Sequence, residues 1–285
     1  MPAYIALMHN YRIVNVFTIE GDRFSGNPLC VFEDAAGLPD TVMQALARQM
    51  NLSETTFVLP SDRADARVRI FTPSYEMPFA GHPTLGTASV VAGDRERVTL
   101  EVKAGIIPVT RGDDGWTLRA ATPPTTRPAG ATRDELAQML GLPAGSVCDE
   151  PLWVDTGTEQ LVIPIATAAL VHAAQPVADL MVRWGFSPAR KAAMAYLVAA
   201  DGPIWTVRFF FSANGALRED PATGSACANL GGWHVAQRRP PFTATLHQGE
   251  AVGRPSRLRL RVDGDGGIYV SGQVIELGRG TVDVG

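Results

Sequence analysis

Gly81-His82-Pro83-Thr84-Leu85-Gly86-Thr87-Ala88 has a counterpart far downstream, Asp220-Pro221-Ala222-Thr223-Gly224-Ser225-Ala226. Aligned, the two read H-P-T-L-G-T-A and D-P-A-T-G-S-A, and 138 residues separate both His82 from Asp220 and Thr87 from Ser225. Each follows an extended apolar run, Val68-Arg69-Ile70-Phe71 in one case and Val207-Arg208-Phe209-Phe210 in the other. Each precedes a run of small residues suited to a tightly packed helix, Ala88-Ser89-Val90-Val91-Ala92 and Ala226-Cys227-Ala228-Asn229-Leu230. A strand, a short loop and a helix thus occur twice, which points to a duplicated plan.

The proline in each copy suits a first helical turn, where its missing N–H would be unpaired anyway. Unpaired N–H groups at such a start, with the helix dipole, favour an anion. Two such starts facing one cleft would hold a carboxylate-bearing ligand from both sides. His82 and Asp220 would then stand at corresponding rims, a proton carrier opposite a carboxylate. Taken singly, a histidine is more often a surface or capping residue, and an aspartate an ordinary N-cap. The repeat raises the pair above its members.

Composition narrows the class. An apolar share of 46% and a charged share of 19% describe a globular protein with ample core material. The net charge is −4 with scattered basic residues, which argues against nucleic acid as a partner. The start, Met1 to Asn10, lacks the charged lead and apolar stretch of a signal peptide. The most apolar long window, Leu161 to Val182, is interrupted by Pro164, His172, Gln175, Pro176 and Asp179, which argues against a membrane span. Cys30, Cys148 and Cys227 are odd in number and widely spaced, as for reduced thiols in a cytoplasm, and they form no metal-site pattern.

Along the chain, Tyr11 to Thr18 and Leu29 to Phe32 read as strands. Pro39-Asp40 opens a helix with Met43, Leu46-Ala47 and Met50 at helical spacing, stopped by Asn51. Glu54 to Leu59 and Arg67 to Phe71 are β-prone. Ala120 to Gly130, rich in Pro, Thr and Ala, reads as the link between halves. Thr132-Arg133-Asp134-Glu135 has the form of a capping box opening a helix to Leu140. The second half repeats the plan. The expected fold is α+β, with two pseudo-symmetric halves, 1–124 and 125–285, each a curved barrel-like sheet around one small-residue helix. The last strand is free to pack back on the first half.

Ser53-Glu54 sits where a helix ends and a strand begins. Removing a proton from carbon beside a conjugated system needs a carboxylate or similar base, best in a dry setting. Glu54 qualifies by type and by its flanks, Leu52 and Phe57-Val58, although a solvated glutamate is the commoner case. Gln248-Gly249 and Gly253-Arg254-Pro255-Ser256 form a turn-rich stretch. Arg254 suits a carboxylate, and a purely structural turn suits it equally. Cys227 reads as core rather than nucleophile.

With these stretches in hand, the chain resembles the PhzF family, named for a phenazine-biosynthesis isomerase and sharing its fold with diaminopimelate epimerase. The matching residues are Val16-Phe17-Thr18, Gly26-Asn27-Pro28, Asn51 to Val58, Arg69 to Pro73, Pro78 to Thr84, Glu219 to Ala226, and Gln248-Gly249 with Gly253 to Ser256. Only the first ten residues or so look like an extension. The resemblance implies two similar halves with the active site between them, cofactor-free chemistry and a homodimer. It implies that Glu54 moves a proton on the substrate, that His82 and Asp220 orient the substrate and assist, and that Ser53, Gly81, Gly224 and Ser225 line the site. In the epimerase relatives two cysteines exchange the proton. Here Ala80 and Pro221 stand near those positions, which disfavours a two-cysteine racemase.

The expectation is a proton-transfer isomerase acting on a small carboxylate-bearing cyclic or amino-acid-like substrate. The alternatives are an amino-acid epimerase working without the cysteine pair, and a non-catalytic binding protein that kept the cleft.

Overall fold

The computed structural model describes residues 8–120, 122–213, 215–239 and 241–285. Met1 to Leu7, most of the expected extension, and Ala121 in the expected link lie outside the described residues. In chain order the first elements are β1 (Met8–Val16), β2 (Asn27–Phe32), α1 (Asp40–Met50), β3 (Glu54–Leu59), β4 (Ala66–Phe71), β5 (Glu76–Met77), α2 (Gly81–Ala92), β6 (Arg97–Val102), β7 (Gly105–Gly112) and β8 (Gly115–Arg119). Then come β9 (Thr125–Pro128), α3 (Arg133–Met139), β10 (Leu152–Asp155), β11 (Glu159–Pro164), α4 (Ala168–Ala173), α5 (Ala178–Trp184), β12 (Phe186–Ser187) and β13 (Ala192–Asp201). The last are β14 (Ile204–Ala213), β15 (Ala216–Asp220), α6 (Gly224–Ala236), β16 (Phe242–Gln248), β17 (Ser256–Val262), β18 (Ile268–Gly272) and β19 (Val274–Asp283). The chain divides into two compact units, residues 8–118 with 271–285 and residues 119–270.

In the first unit β1 pairs antiparallel with both β2 and β19. β2 runs parallel to β3, with Leu29 opposite Glu54, and a parallel pair needs a crossover, which α1 supplies. Pro39 caps α1, Asp40 stands in its first turn, and Asn51 closes it in the left-handed conformation. Met43, Leu46 and Ala47 face inward and join Cys30, Phe32, Phe57 and Phe71 in one apolar cluster. Phe32 stacks on Phe57 at 4.9 Å and Phe57 meets Phe71 edge-on at 5.4 Å.

Alternation along β3 then decides where the chemistry goes. Phe57 points to the α1 side, so Glu54 and Thr56 point to the other, which α2 covers. The Thr56 and Thr87 hydroxyls meet there at 2.8 Å. Helix α2 is buried through its first eight residues. Its small residues let strands approach closely: a Cβ on Gly86 would lie 2.6 Å from Leu29 Cδ2 and 2.9 Å from Val16 Cγ2. The unit is completed by β4 parallel to β6 and by antiparallel β6–β7–β8.

The second unit repeats this order. β10–β11 are antiparallel, β11–β13 parallel, β13–β14 antiparallel, β14–β16 parallel and β16–β17 antiparallel. Helices α4 and α5 fill the first crossover and α6 the second. Helix α6 is as closely enclosed as α2. A Cβ on Gly231 would lie 2.6 Å from Ile268 Cγ2, and one on Gly232 2.9 Å from Val154 Cγ1. Both units are therefore curved sheets around a buried small-residue helix, an α+β fold.

The expected link at 120–130 needs correction, because it contains β9, paired antiparallel with β10 from Leu152↔Pro128 to Asp155↔Thr125. Its threonines favour extended backbone and Pro128 sits at its end, where a missing N–H does little harm. Arg127 fixes it further, with two hydrogen bonds to Glu159 at 2.7 and 2.9 Å and its guanidinium 4.4 Å over the Trp153 ring. The capping box at Thr132 is present as expected, with reciprocal bonds between Thr132 and Glu135. Thr132→Ala is expected to destabilise the protein by about 1 kcal/mol, read as a lowered denaturant midpoint at unchanged slope.

Candidate functional site

In the first unit the strand phase described above carries Glu54 to the face on which α2 begins. Ala80 is the helix N-cap and makes no side-chain cap bond, and Gly81, His82 and Pro83 form the first turn. His82 Nδ1 lies 3.0 Å from Glu54 Oε2. The two side chains are 5% and 17% exposed, so the histidine is shut off from water and the carboxylate reaches it at one edge. A carboxylate can only accept, so Nδ1 carries a proton, and in the neutral imidazole Nε2 is then the acceptor. That Nε2 is buried and has no partner among the described residues. Ser53, exposed, immediately precedes Glu54, and Gly81 is buried at the helix start.

Arg69 secures this arrangement. It makes two bonds to Glu76 at 2.8 and 2.9 Å and a third to Asp40 at 2.5 Å. It thereby ties β4 to β5, the segment leading into α2, and to α1. These contacts raise the Arg69 pKa and hold the Glu76 carboxyl below the usual range.

Asp220, Gly224 and Ser225 belong to the second unit. An equivalent clamp precedes them. Arg208 bonds Glu219 at 3.0 and 2.7 Å and also donates to the Val171, His172 and Ala174 carbonyls at the end of α4. Beyond it the two copies of the motif differ. Helix α6 begins at Gly224 with Thr223 as N-cap, so Pro221 precedes the helix and Asp220 is the last residue of β15. The expectation that both prolines occupy a first helical turn holds for Pro83 and fails for Pro221.

The cause is Gln248, fully buried at the end of β16. Its Oε1 accepts from the Thr223 N–H at 3.3 Å, and its Nε2 donates to the Asp220 carbonyl at 2.9 Å and to Thr223 Oγ1 at 3.1 Å. The Thr223 hydroxyl in turn donates to Asp220 Oδ2 at 2.6 Å. These bonds hold residues 220–223 open as a loop instead of a helical turn.

Ser225 accepts a hydrogen bond from Gln160 Nε2 at 2.8 Å. Gln160 and Asn229 are themselves buried. Sequence reasoning passed over Gln160 and Asn229, and it read Gln248 only as part of a turn. The available signal was chemical. A glutamine opening the apolar run Gln160-Leu161-Val162-Ile163, and an asparagine inside a small-residue helix, must each find partners when buried.

Arg254 serves the turn: its N–H donates to the Gly249 carbonyl at 3.0 Å and its own carbonyl accepts from Ser256 Oγ at 3.0 Å. Cys30 and Cys227 are buried, and burial pushes both thiols well above their ordinary pKa. Cys148 is exposed. Ala80 caps α2, and Pro221 lies in the loop ahead of Thr223, which caps α6. Among the described residues no group of three or more His, Cys, Asp or Glu side chains is placed to hold a metal ion. Among them also, no helix is long and apolar enough to cross a membrane.

Comparison with known proteins agrees with this architecture. A family model described as phenazine biosynthesis-like protein, PhzC-PhzF, matches residues 14–279. An uncharacterized isomerase of Pasteurella multocida is 37% identical, over 96% of this chain and 94% of its own. The trans-2,3-dihydro-3-hydroxyanthranilate isomerase of Pseudomonas aeruginosa is 35% identical, over 91% of this chain and 92% of its own. The crystal structure of a PhzF-family phenazine biosynthesis protein from Bacillus anthracis superposes with a TM-score of 0.84 at 25% identity, covering 97% of this chain and 99% of that one. With the duplicated fold, the Glu54–His82 pair and a family match over nearly its whole length, this chain belongs to the phenazine biosynthesis-like PhzF family, whose two sequence relatives named here are isomerases.

Proposed function

We propose that this chain is a cofactor-independent isomerase that moves a proton within a small carboxylate-bearing substrate, cyclic or amino-acid-like, with Glu54 as the proton carrier. The observation that carries the reading is the Glu54–His82 pair with its buried, unpartnered Nε2. His82 donates to Oε2 of Glu54, so Oε1 is the oxygen that takes the proton. The electron pair left on carbon spreads into the substrate's conjugated system, Glu54 becomes a carboxylic acid, and the proton is returned to another carbon of the same molecule. Nothing is consumed, and the carboxylate is restored.

A buried acceptor without a partner costs about 1–3 kcal/mol, which a substrate O–H or N–H at Nε2 would recover on binding. By the family resemblance Asp220 orients substrate and assists proton transfer, and Ser53, Gly81, Gly224 and Ser225 are substrate-binding residues. The burial of Cys30 and Cys227 supports this reading over a racemase with two thiol bases, because a thiol with a raised pKa is a poor source of thiolate.

The test is incubation in deuterium oxide with trans-2,3-dihydro-3-hydroxyanthranilate, the compound named for the Pseudomonas aeruginosa relative, and with a panel of amino acids, followed by NMR. Double-bond migration with deuterium at carbon is the expected result. Exchange with inversion at a stereocentre would favour the epimerase, and exchange into no compound would leave a binding protein. His82→Ala should raise KM and lower kcat together, each by roughly tenfold, since its role joins binding to proton handling. The reading includes a homodimer, and light scattering that gives a clean monomer at micromolar concentration would remove that part.

A further inference from the structure

We propose that Gln160 and Asn229 are positioning residues that fix the Ser225 hydroxyl as a hydrogen-bond donor toward the substrate. The second unit would thereby select a ligand group that accepts, such as a carboxylate, over one that donates. The inference rests on the proposed function for the statement that Ser225 meets substrate. That the hydroxyl proton turns away from Gln160 follows from the protein alone.

The orientation of a side-chain amide has to be reasoned from its surroundings, and here the backbone decides it. The Thr156 N–H can only donate, and it lies 2.9 Å from Asn229 Oδ1. The Thr158 carbonyl can only accept, and it lies 2.7 Å from Asn229 Nδ2. Asn229 is therefore locked with its oxygen to Thr156, whose hydroxyl adds a second bond at 2.7 Å, and its nitrogen to Thr158. That same nitrogen faces Gln160 Oε1 and donates to it. With its oxygen so held, Gln160 must present its NH2 to Ser225 Oγ, at 2.8 Å.

A hydroxyl has one proton and two lone pairs. Because Gln160 donates into a lone pair of Ser225, the serine proton cannot return to Gln160 and is directed elsewhere. Two backbone groups thus set the polarity of a serine through two buried amides, and bonds in such a chain reinforce one another. The Thr223 relay is polarised in the same manner. Its N–H fixes Gln248, whose NH2 donates to the Thr223 hydroxyl, so that hydroxyl donates to the Asp220 carboxylate.

Two measurements test the inference. The first is neutron diffraction from deuterium-exchanged crystals of the unsubstituted protein. It should show deuterons on Gln160 Nε2 aimed at Ser225 Oγ, and the Ser225 deuteron aimed away from Gln160. A Ser225 deuteron on the Gln160 side chain would overturn the inference, whatever the protein binds.

The second is calorimetric titration with 2-aminobenzoate and with its neutral acceptor analogue 2-aminoacetophenone. Gln160→Glu places an oxygen where the NH2 stood, so Ser225 would donate to residue 160 and lose its hold on either probe. Affinity for both should fall by about tenfold, the scale of one hydrogen bond to a buried polar group. Gln160→Met removes the contact and leaves the hydroxyl free to turn, so it should cost about threefold or less. A residue needed only for packing would give the reverse order, with Gln160→Met the more harmful, and that order would overturn the inference. Loss confined to 2-aminobenzoate would show plain charge repulsion and would also overturn it. If the unsubstituted protein binds neither probe, the proposed function is what fails, and the neutron result alone decides the hydroxyl's direction.

Discussion

Glu54→Gln is expected to lower turnover by roughly two to four orders of magnitude, the range for loss of a general acid–base group. The substitution is nearly isosteric. A glutamine oxygen can still accept from His82 Nδ1, 3.0 Å away in the unsubstituted protein, so the imidazole keeps its orientation. The other end of the new side chain is an NH2 that cannot take a proton from carbon. Binding should therefore largely survive while chemistry stops, and KM should change far less than kcat. The fold should be nearly unaffected, because Glu54 opens β3 at a partly exposed position and supplies none of the apolar cluster beneath it. Steady-state kinetics on a substrate found by deuterium exchange, with a melting curve as control, provide the check. A Glu54→Gln enzyme with near-normal turnover would refute the mechanism and pass the role of base to His82 or Asp220.

The largest effect on stability is expected from Gly249→Ala. Gly249 has φ +86°, a left-handed conformation that costs an L-residue about 1–2 kcal/mol by itself. Its Cβ would also stand 2.2 Å from the Arg254 carbonyl oxygen and 2.5 Å from that of Pro221. Both are backbone atoms, so no rotamer change relieves the overlap, and the loop that carries Asp220 has to shift. The expected loss is on the order of 3 kcal/mol or more, accompanied by a raised KM. Gly253→Ala is the matched control. Its φ is +68°, but a Cβ there would meet nothing within 4 Å, so only the conformational cost remains. Equal losses in the two variants, measured by denaturant unfolding, would show that the contact with Pro221 is not what Gly249 is for.

The parts of this molecule that sequence displayed are those fixed by local chemistry. Pro39, Asp40 and Asn51 bound α1 because caps and breakers act within a few residues, and the Thr132–Glu135 box is complete within one turn. The duplicated motif located both buried helices, since only small residues fit where strands approach within contact of Gly86 and Gly232. The register of the second motif was not legible. Whether Pro221 enters the helix is decided by Gln248, which lies 25 residues from Thr223 in sequence and is brought to it by β16. The strand Thr125–Pro128 was hidden for a similar reason: its two threonines and Pro128 look like linker until β10 arrives to pair with it. The pairing of Glu54 with His82 was not legible from residue types, which set His82 against Asp220; only the family resemblance placed Glu54 and His82 at one substrate. Their distance depends on the phase of β3 against Phe57, which the aromatic cluster on the opposite face sets.

The pairing of β1 with β19, from Met8↔Asp283 to Val16↔Val274, sets a schedule for the newborn chain. The unit that starts first is finished last, because its strand β19 is made after the whole of 119–270 has been synthesised. At about 5–20 residues per second, the interval between Leu118 and the final strand is roughly ten to thirty seconds on the ribosome. Throughout it β1 has an open edge of unpaired backbone groups, the kind of surface that recruits strands from other chains. The second unit meets no such delay, since β9 precedes the β10 it pairs with. Nascent-chain arrest should therefore find the later-made unit protease-resistant before the earlier one, and chaperones that shield strand edges should engage the N-terminal segment longest.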